Sequence, residues 1–353
     1  MKTVYTVTFQ RVLNYGAVLQ AYALLRYLNE QGVDAKVIDY APSYFLLQTY
    51  RPAKGIKKTI DKYKKFRKFK AFRQKHMKLT PKTYYSFDSL KNLPKADAVV
   101  CGSDQIWNYN LTGKDFDPTF FLNFAPANTK RIAFAASAGS IRIKDFGSKV
   151  KSYLESFHTI GTREENLAQD VKEVAPNTTP VVVVDPCLLI KDYTPVFDDK
   201  LIPKQEYVVS YVVGSGEMLT RFNQRIAQFK QNNSIQIIHL GAKPIRAADQ
   251  NVLDIGPSDW VTFIKHAKYV ITNSFHGTAF SINFEKNFVF VPHVLENLNA
   301  RQTTLLNNVG LIDRMLSDED ELHHISDINY NEVTPKLDAL VHNSQQFLLD
   351  SLK

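Results

Sequence analysis

"YVITNSFHGTAFSINFEKNFVFVP", residues 269 to 292, reads as strand, turn, helix and strand in one short span. β-branched and aromatic residues open it, Ser274 stands where a helix N-cap belongs, small residues follow, and an apolar run from Phe288 closes it. A strand that returns through a helix lies parallel to its predecessor, so the stretch predicts a βαβ unit in a parallel sheet. Upstream, "YVVSYVV" from 207 and "IQIIHLG" from 235 are further strands, with helices predicted near 217–231, 258–267 and 275–285 and a last one near 333–352. The first half repeats the alternation, with strands near 3–9, 34–40, 96–101, 131–136 and 180–184 and helices near 16–31, 54–78, 146–156 and 163–174. Residues 191–206, "KDYTPVFDDKLIPKQE", lack periodicity and carry two prolines, the signature of a linker. The expected fold is α/β, two Rossmann-like domains facing a cleft. An N-terminal domain spans 1–195, a C-terminal domain 206–332, and a closing helix 333–353.

Bulk properties agree with that plan. A chain of 353 residues has room for two domains with full cores. No apolar run reaches the length that crosses a bilayer. The opening "KTVYTVTF" is strand-like and lacks the features of a secretory leader, so a cytoplasmic location is expected. Cys101 and Cys187 each adjoin a valine-rich run, where a free cysteine acts as a small hydrophobe. Histidines and carboxylates show none of the clustered spacings of zinc or calcium ligands, and no metal site is expected.

The net charge of +9 is concentrated rather than spread. Residues 54–78 hold twelve Lys or Arg against one Asp, which leaves the rest of the chain slightly acidic. Ile56, Ile60, Tyr63, Phe66, Phe69 and Phe72 recur there every three or four residues, predicting a basic amphipathic helix. Its aromatic side either packs on the protein with the lysines solvated, or meets an anionic membrane surface or a lipid-diphosphate-linked substrate. Nucleic acid is not expected as a partner, because no recognised binding module accompanies the charge.

Ligands of parallel α/β sheets bind beyond the carboxyl ends of strands, which singles out four turns. In "LNYGAV", Asn14 and Gly16 precede a helix, as an anion site or as a plain tight turn. In "CGSDQIWN", Ser103, Asp104 and Trp107 follow a buried strand. Asp104 would accept from a sugar hydroxyl and Trp107 cover a sugar face, or else they cap and pack. In "TREEN", Arg163 sits at a helix start, where the dipole disfavours a cation. Either an anionic ligand relieves the mismatch, or Glu164, Glu165 or Asp170 does. His276, in the first turn after Ser274, is placed for general acid or base chemistry near neutral pH.

Taken in order, "NYGAVLQAYAL", "CGSDQIWN", "TREENLAQ" with "VVVVDPCLLI", "SDWVTFIKHAKYVITNSFHGTAFSINFEKNFVF" and "ARQTTLLNNVGL" resemble the polysaccharide pyruvyl transferase family, over about residues 3 to 312. The resemblance implies a GT-B-like fold and an enzyme that moves the pyruvyl group of phosphoenolpyruvate onto a sugar as a ketal, in cell-surface or exopolysaccharide biosynthesis. It implies His276 as the acid/base group, Arg163 on the donor's carboxylate or phosphate, and Arg301 as a second anion ligand. Asn14, Gly16, Ser103, Asp104 and Trp107 would serve the acceptor or the donor. Similar proteins carry an arginine two residues before the histidine, in a Ser-x-Arg-Leu-His pattern, and here that position is Ser274, so either Arg301, Lys265 or Arg163 supplies the missing cation or the donor has changed. The implied partners are phosphoenolpyruvate as donor substrate, with no cofactor, and a sugar or lipid-linked oligosaccharide as acceptor. The expected location is the cytoplasm, either free or peripheral at the inner face of the membrane through 54–78. Two rivals remain: a GT-B-type glycosyltransferase using a nucleotide sugar, and a non-catalytic member of a polysaccharide assembly complex.

Overall fold

The computed structural model describes residues 1–317 and 319–353. The chain forms two compact units, one of Met1–Pro52, Lys70–Ile190 and Ala339–Lys353, the other of Ala53–Phe69 and Lys191–Asp338. Strands and helices alternate through both. In chain order the first half gives β1 (Thr3–Val7), α1 (Tyr15–Glu30), β2 (Asp34–Tyr40), α2 (Ser43–Tyr50), α3 (Ile56–His76), β3 (Leu79–Tyr84), β4 (Ala98–Cys101), β5 (Lys130–Ala136), α4 (Gly147–Glu155), β6 (Thr159–Thr162), α5 (Glu165–Val174) and β7 (Val181–Val182). The second half gives β8 (Tyr207–Tyr211), α6 (Glu217–Gln231), β9 (Gln236–His239), β10 (Gln250–Asn251), α7 (Pro257–His266), β11 (Tyr269–Thr272), α8 (Phe275–Asn283), β12 (Asn287–Phe290), α9 (Ala300–Val309) and α10 (Tyr330–Leu352).

In the first unit seven strands lie in the order β3-β2-β1-β4-β5-β6-β7. In the second, five follow β10-β9-β8-β11-β12. Every pairing is parallel. Sheets covered on both faces need strands apolar throughout, which is why β4, AVVC, and β8, YVVSY, are buried along their whole length. The strand order reverses direction between β1 and β4 in one unit and between β8 and β11 in the other. Those two switch points are where such folds receive ligands.

The division departs from the expected ranges 1–195, 206–332 and 333–353. Residues 191–206 join the second unit instead of standing as a linker between the two. The closing helix α10 gives its last part, from Ala339, to the first unit. Polar ties hold it there: Ser344 Oγ accepts from Val184 N (3.0 Å), Gln345 Nε2 donates to Leu189 O (3.1 Å), and Thr159 and Ser351 join hydroxyls at 2.8 Å. The basic helix, placed wholly in the N-terminal range from sequence, is likewise shared, with 53–69 in the second unit. Elements absent from the sequence reading carry weak signals. Edge strand β3, LTPKTY, contains Pro81, and β6, TIGT, is four residues long with a glycine.

The apolar stripe of α3 does not face one way. After the Ile56–Ile60 step of four residues, each step from Ile60 to Phe72 is three residues. On a helix of 3.6 residues per turn, every such step slips back by about 60°. The stripe therefore winds around the helix. Phe69 and Phe72 are buried, whereas Ile56 is 84% exposed, Ile60 49% and Tyr63 61%. The expectation that the aromatic side packs on the protein holds for the second half of the helix and fails for the first.

Candidate functional site

The carboxyl edge of the first sheet gathers most of the residues singled out from sequence. Asn14 is the N-cap of α1, its Oδ1 accepting from Ala17 N at 3.2 Å, and Gly16 is a buried residue of the first helical turn. Gln20, one turn on, donates to Thr8 Oγ1 (2.9 Å) and accepts from Ser103 N (3.0 Å), while Thr8 donates to the Ser103 carbonyl (2.9 Å). Ser103 Oγ in turn donates to Asp185 Oδ2 at 2.6 Å. The chain must pass close here: a Cβ on Gly102, whose φ is 113°, would lie 2.1 Å from the Phe134 carbonyl of β5.

Arg163 completes this network. Its side chain is 1% exposed, Nη1 donates to Asp185 Oδ2 at 2.7 Å, and Asp104 and Glu164 stand at 3.7 and 4.0 Å. Burial by itself disfavours the charged guanidinium, but the carboxylates of Asp185, Asp104 and Glu164 outweigh it and hold the pKa above its ordinary value. Arg163 is thus an internal counter-ion. In place of the donor anion expected from sequence, its guanidinium here meets Asp185 at hydrogen-bond distance, with Asp104 and Glu164 farther off. Of the local partners weighed from sequence, Glu164 is present, while Asp170 instead pairs with Arg142. Glu164 Oε1 also accepts from Ser137 Oγ (2.7 Å) and Ala138 N (3.2 Å).

Trp107 and Asp104 take the packing and capping alternatives read from sequence. Trp107 is fully buried, donates Nε1–H to the Phe120 carbonyl at 2.9 Å and stacks on Phe121 with centroids 5.3 Å apart, so its ring has no face left for a sugar. Asp104 adopts a positive φ of 73° and accepts from Gln105 N at 2.8 Å. Its carboxylate serves the turn and Arg163. The sequence reading missed Gln20, Thr8 and Asp185. The Asp-Pro pair directly after the "VVVV" run was a usable signal for Asp185, since Asp caps the turn that proline begins.

The second sheet presents a different corner at the switch between β8 and β11. Ser274 is the N-cap of α8, its Oγ accepting from Gly277 N at 3.4 Å, and its own N–H donates to Thr272 Oγ1 at 3.0 Å. Gly277 allows α8 to close on β11, because a Cβ there would fall 2.4 Å from Thr272 Oγ1. His276 lies in the first turn, 6% exposed, with its ring edge-on to Phe275 at 5.3 Å. Asn273 spans the switch point: Oδ1 accepts from Val213 N (2.7 Å) and Nδ2 donates to Val213 O (2.8 Å), tying the β8–α6 loop to the β11 turn. Gln302 in the first turn of α9, with its amide oriented to satisfy both neighbours, donates to Asn299 O (3.1 Å) and accepts from Phe275 N (3.3 Å). Arg301, half-buried, is the residue before it, so α9 brings Arg301 to the same end of α8 as His276. Neither Asn273 nor Gln302 was singled out from sequence.

Lys265 does not join this corner. It lies in the last turn of α7 with Nζ 5.1 Å from the ring centroid of Phe284, the C-cap of α8. Eight residues separate Phe284 from His276, about 12 Å along a helix axis. Lys265 therefore belongs to the amino edge of the sheet. Among the described residues no group of three or more His, Cys, Asp or Glu is gathered to hold a metal ion, and no helix is long and apolar enough to cross a membrane.

A family model described as polysaccharide pyruvyl transferase matches residues 14–293. No curated protein matches the chain in sequence. Solved structures share its fold: UDP-N-acetylglucosamine 2-epimerase from Rickettsia bellii, at 12% identity and TM-score 0.52, covers 100% of this chain and 97% of its own. UDP-GlcNAc 2-epimerase from Neisseria meningitidis bound to UDP-GlcNAc gives 10% and 0.50, over 100% and 99%. S. aureus MnaA with UDP gives 11% and 0.51, over 98% and 91%. At such identities the likeness is one of fold alone, a GT-B-like chain of two Rossmann-like units.

Proposed function

The chain belongs to the polysaccharide pyruvyl transferase family, and from that premise we propose that it transfers the pyruvyl group of phosphoenolpyruvate to two hydroxyls of a sugar, forming a ketal. The observation that carries this reading is the place of His276, in the first turn of α8 at the switch point of the second sheet. Protonating the donor's methylene carbon leaves a cationic centre at the carbon bearing phosphate. One sugar hydroxyl adds there, phosphate departs with its bonding electrons, and a second hydroxyl closes the ketal. The two hydroxyls release two protons, one replacing that delivered to carbon and one leaving with phosphate. His276 is the group that delivers and regains the proton.

The donor's charge needs a cation. Arg163 is engaged internally and Lys265 lies at the far edge, so Arg301 takes this role, with guanidinium geometry suited to a carboxylate or phosphate. Ser274 contributes by capping α8 and holding the His276 turn. Acceptors of this chemistry are sugars or lipid-linked oligosaccharides of cell-surface polysaccharides, met in the cytoplasm.

A second reading, glycosyl transfer from a nucleotide sugar, draws on the β8–α6 loop. Gly214 (φ 135°) and Gly216 (φ 60°) leave its backbone open to close approach before the 15-residue helix α6. Phosphate release from phosphoenolpyruvate with a panel of sugar acceptors separates the two. Release that His276→Ala abolishes in a folded protein supports pyruvyl transfer and excludes a non-catalytic role. Nucleotide release from a nucleotide sugar, with no response to phosphoenolpyruvate, overturns it.

A further inference from the structure

The first half of α3 presents a surface that neither the core nor the His276 corner accounts for. Its outward side carries Ile56, Ile60 and Tyr63, all well exposed, at the i, i+4, i+7 spacing of one helix face. Lys57, Lys64 and Arg67 fall on or beside the same face by helical rotation, and all three are exposed. The opposite side anchors the segment. Phe69 is fully buried, and Lys68 Nζ reaches Asp259 Oδ2 at 3.4 Å, on the first turn of α7. The helix is thus fixed to its own unit on one side, and on the other offers bulky apolar groups ringed by cations.

We propose that this face of α3 docks the protein on an anionic lipid bilayer. Ile56, Ile60 and Tyr63 would enter the headgroup region, and Lys57, Lys64 and Arg67 would meet lipid phosphates. The pairing of features selects the occupant. Segment 54–78 has twelve Lys or Arg against one Asp, so its complement is acidic. Nucleic acid would use the cations and leave two isoleucines in water. A bilayer takes both, because an interfacial helix buries its apolar side chains while the flanking cations contact anionic lipid. A convex helix face also needs no matching groove on a fluid surface.

The test is flotation of the full chain with vesicles of phosphatidylglycerol and phosphatidylcholine, against vesicles of phosphatidylcholine alone, at about 50 mM and 500 mM salt, over which the screening length shortens several-fold. The expected result is retention on anionic vesicles at low salt, at least ten-fold weaker on neutral vesicles or at high salt. Lys57→Glu/Lys64→Glu/Arg67→Glu should lose retention. Ile56→Ser/Ile60→Ser/Tyr63→Ser should weaken it with the melting temperature unchanged, since these side chains make no core. Tyr63→Trp should show a blue-shifted emission on anionic vesicles. No retention at low salt overturns the proposal, as does retention that both triple variants keep. Retention lost only in the charge-reversed variant, with no blue shift, overturns insertion of the apolar face.

Discussion

Removing the guanidinium of Arg163 separates an internal counter-ion from a ligand group. In Arg163→Ala, the Asp185 carboxylate, fully buried, loses its 2.7 Å partner, and Asp104 and Glu164 lose the same charge at 3.7 and 4.0 Å. Breaking a buried pair by deleting one partner costs about 3–5 kcal/mol, and here three neighbouring carboxylates lose one shared cation, although each keeps other hydrogen-bond donors. For a unit of this size that is a fall of roughly 6 to 20 °C in the melting transition of the first unit. Scanning calorimetry of wild type, Arg163→Ala, Asp185→Asn and the double variant reads it directly. The double variant should fall short of the sum of the singles by about 0.5–3 kcal/mol, because the two side chains share one interaction. An Arg163→Ala protein that melts within ~2 °C of wild type, yet no longer gains stability from phosphoenolpyruvate, would refute the reasoning and return Arg163 to the donor.

Asn273→Ala removes both bonds to Val213, and should lower stability by roughly 1–3 kcal/mol and raise the KM for the donor more than it lowers kcat, as steady-state kinetics would read. Gly277→Ala forces a methyl to within 2.4 Å of Thr272 Oγ1, a group held by Tyr211 O and Ser274 N. It should destabilise by about 1–3 kcal/mol in urea denaturation although alanine favours helix, and no loss would mean the corner is loosely packed. His239, buried between Ser210 Oγ (2.9 Å) and the Lys243 carbonyl (3.0 Å), has its pKa pushed down to about 4 by burial. The unfolded imidazole then binds a proton the folded one refuses, so stability is full above about pH 6.5 and falls toward pH 4, by roughly 3 kcal/mol in all. Denaturation at pH 7, 5.5 and 4.5 should show that fall, and His239→Gln should flatten it.

Periodicity alone determined the elements with strong signals. The buried valine-rich strands, the helices between them and the strand–turn–helix at 269–283 were legible, because burial on both faces forces apolar runs and an N-cap serine marks a helix start. Ser274 and His276 were legible for the same reason, since their neighbourhood is built by residues close in sequence. Short or interrupted strands such as β3 and β6 were not, because four to six residues with a proline or glycine carry no usable period. The partner of a buried charge was also out of reach. Arg163 had Glu164, Glu165 and Asp170 nearby in the chain, but the carboxylate it engages at closest range, Asp185, lies beyond α5 on the turn after β7. Only the packing of parallel strands brings β4, β6 and β7 ends together, and with them Ser103, Arg163 and Asp185. The winding of the α3 stripe shows the same limit. Spacing fixed where each aromatic falls around the helix, but which part of that turn meets protein and which meets solvent was decided by what the rest of the fold places beside it.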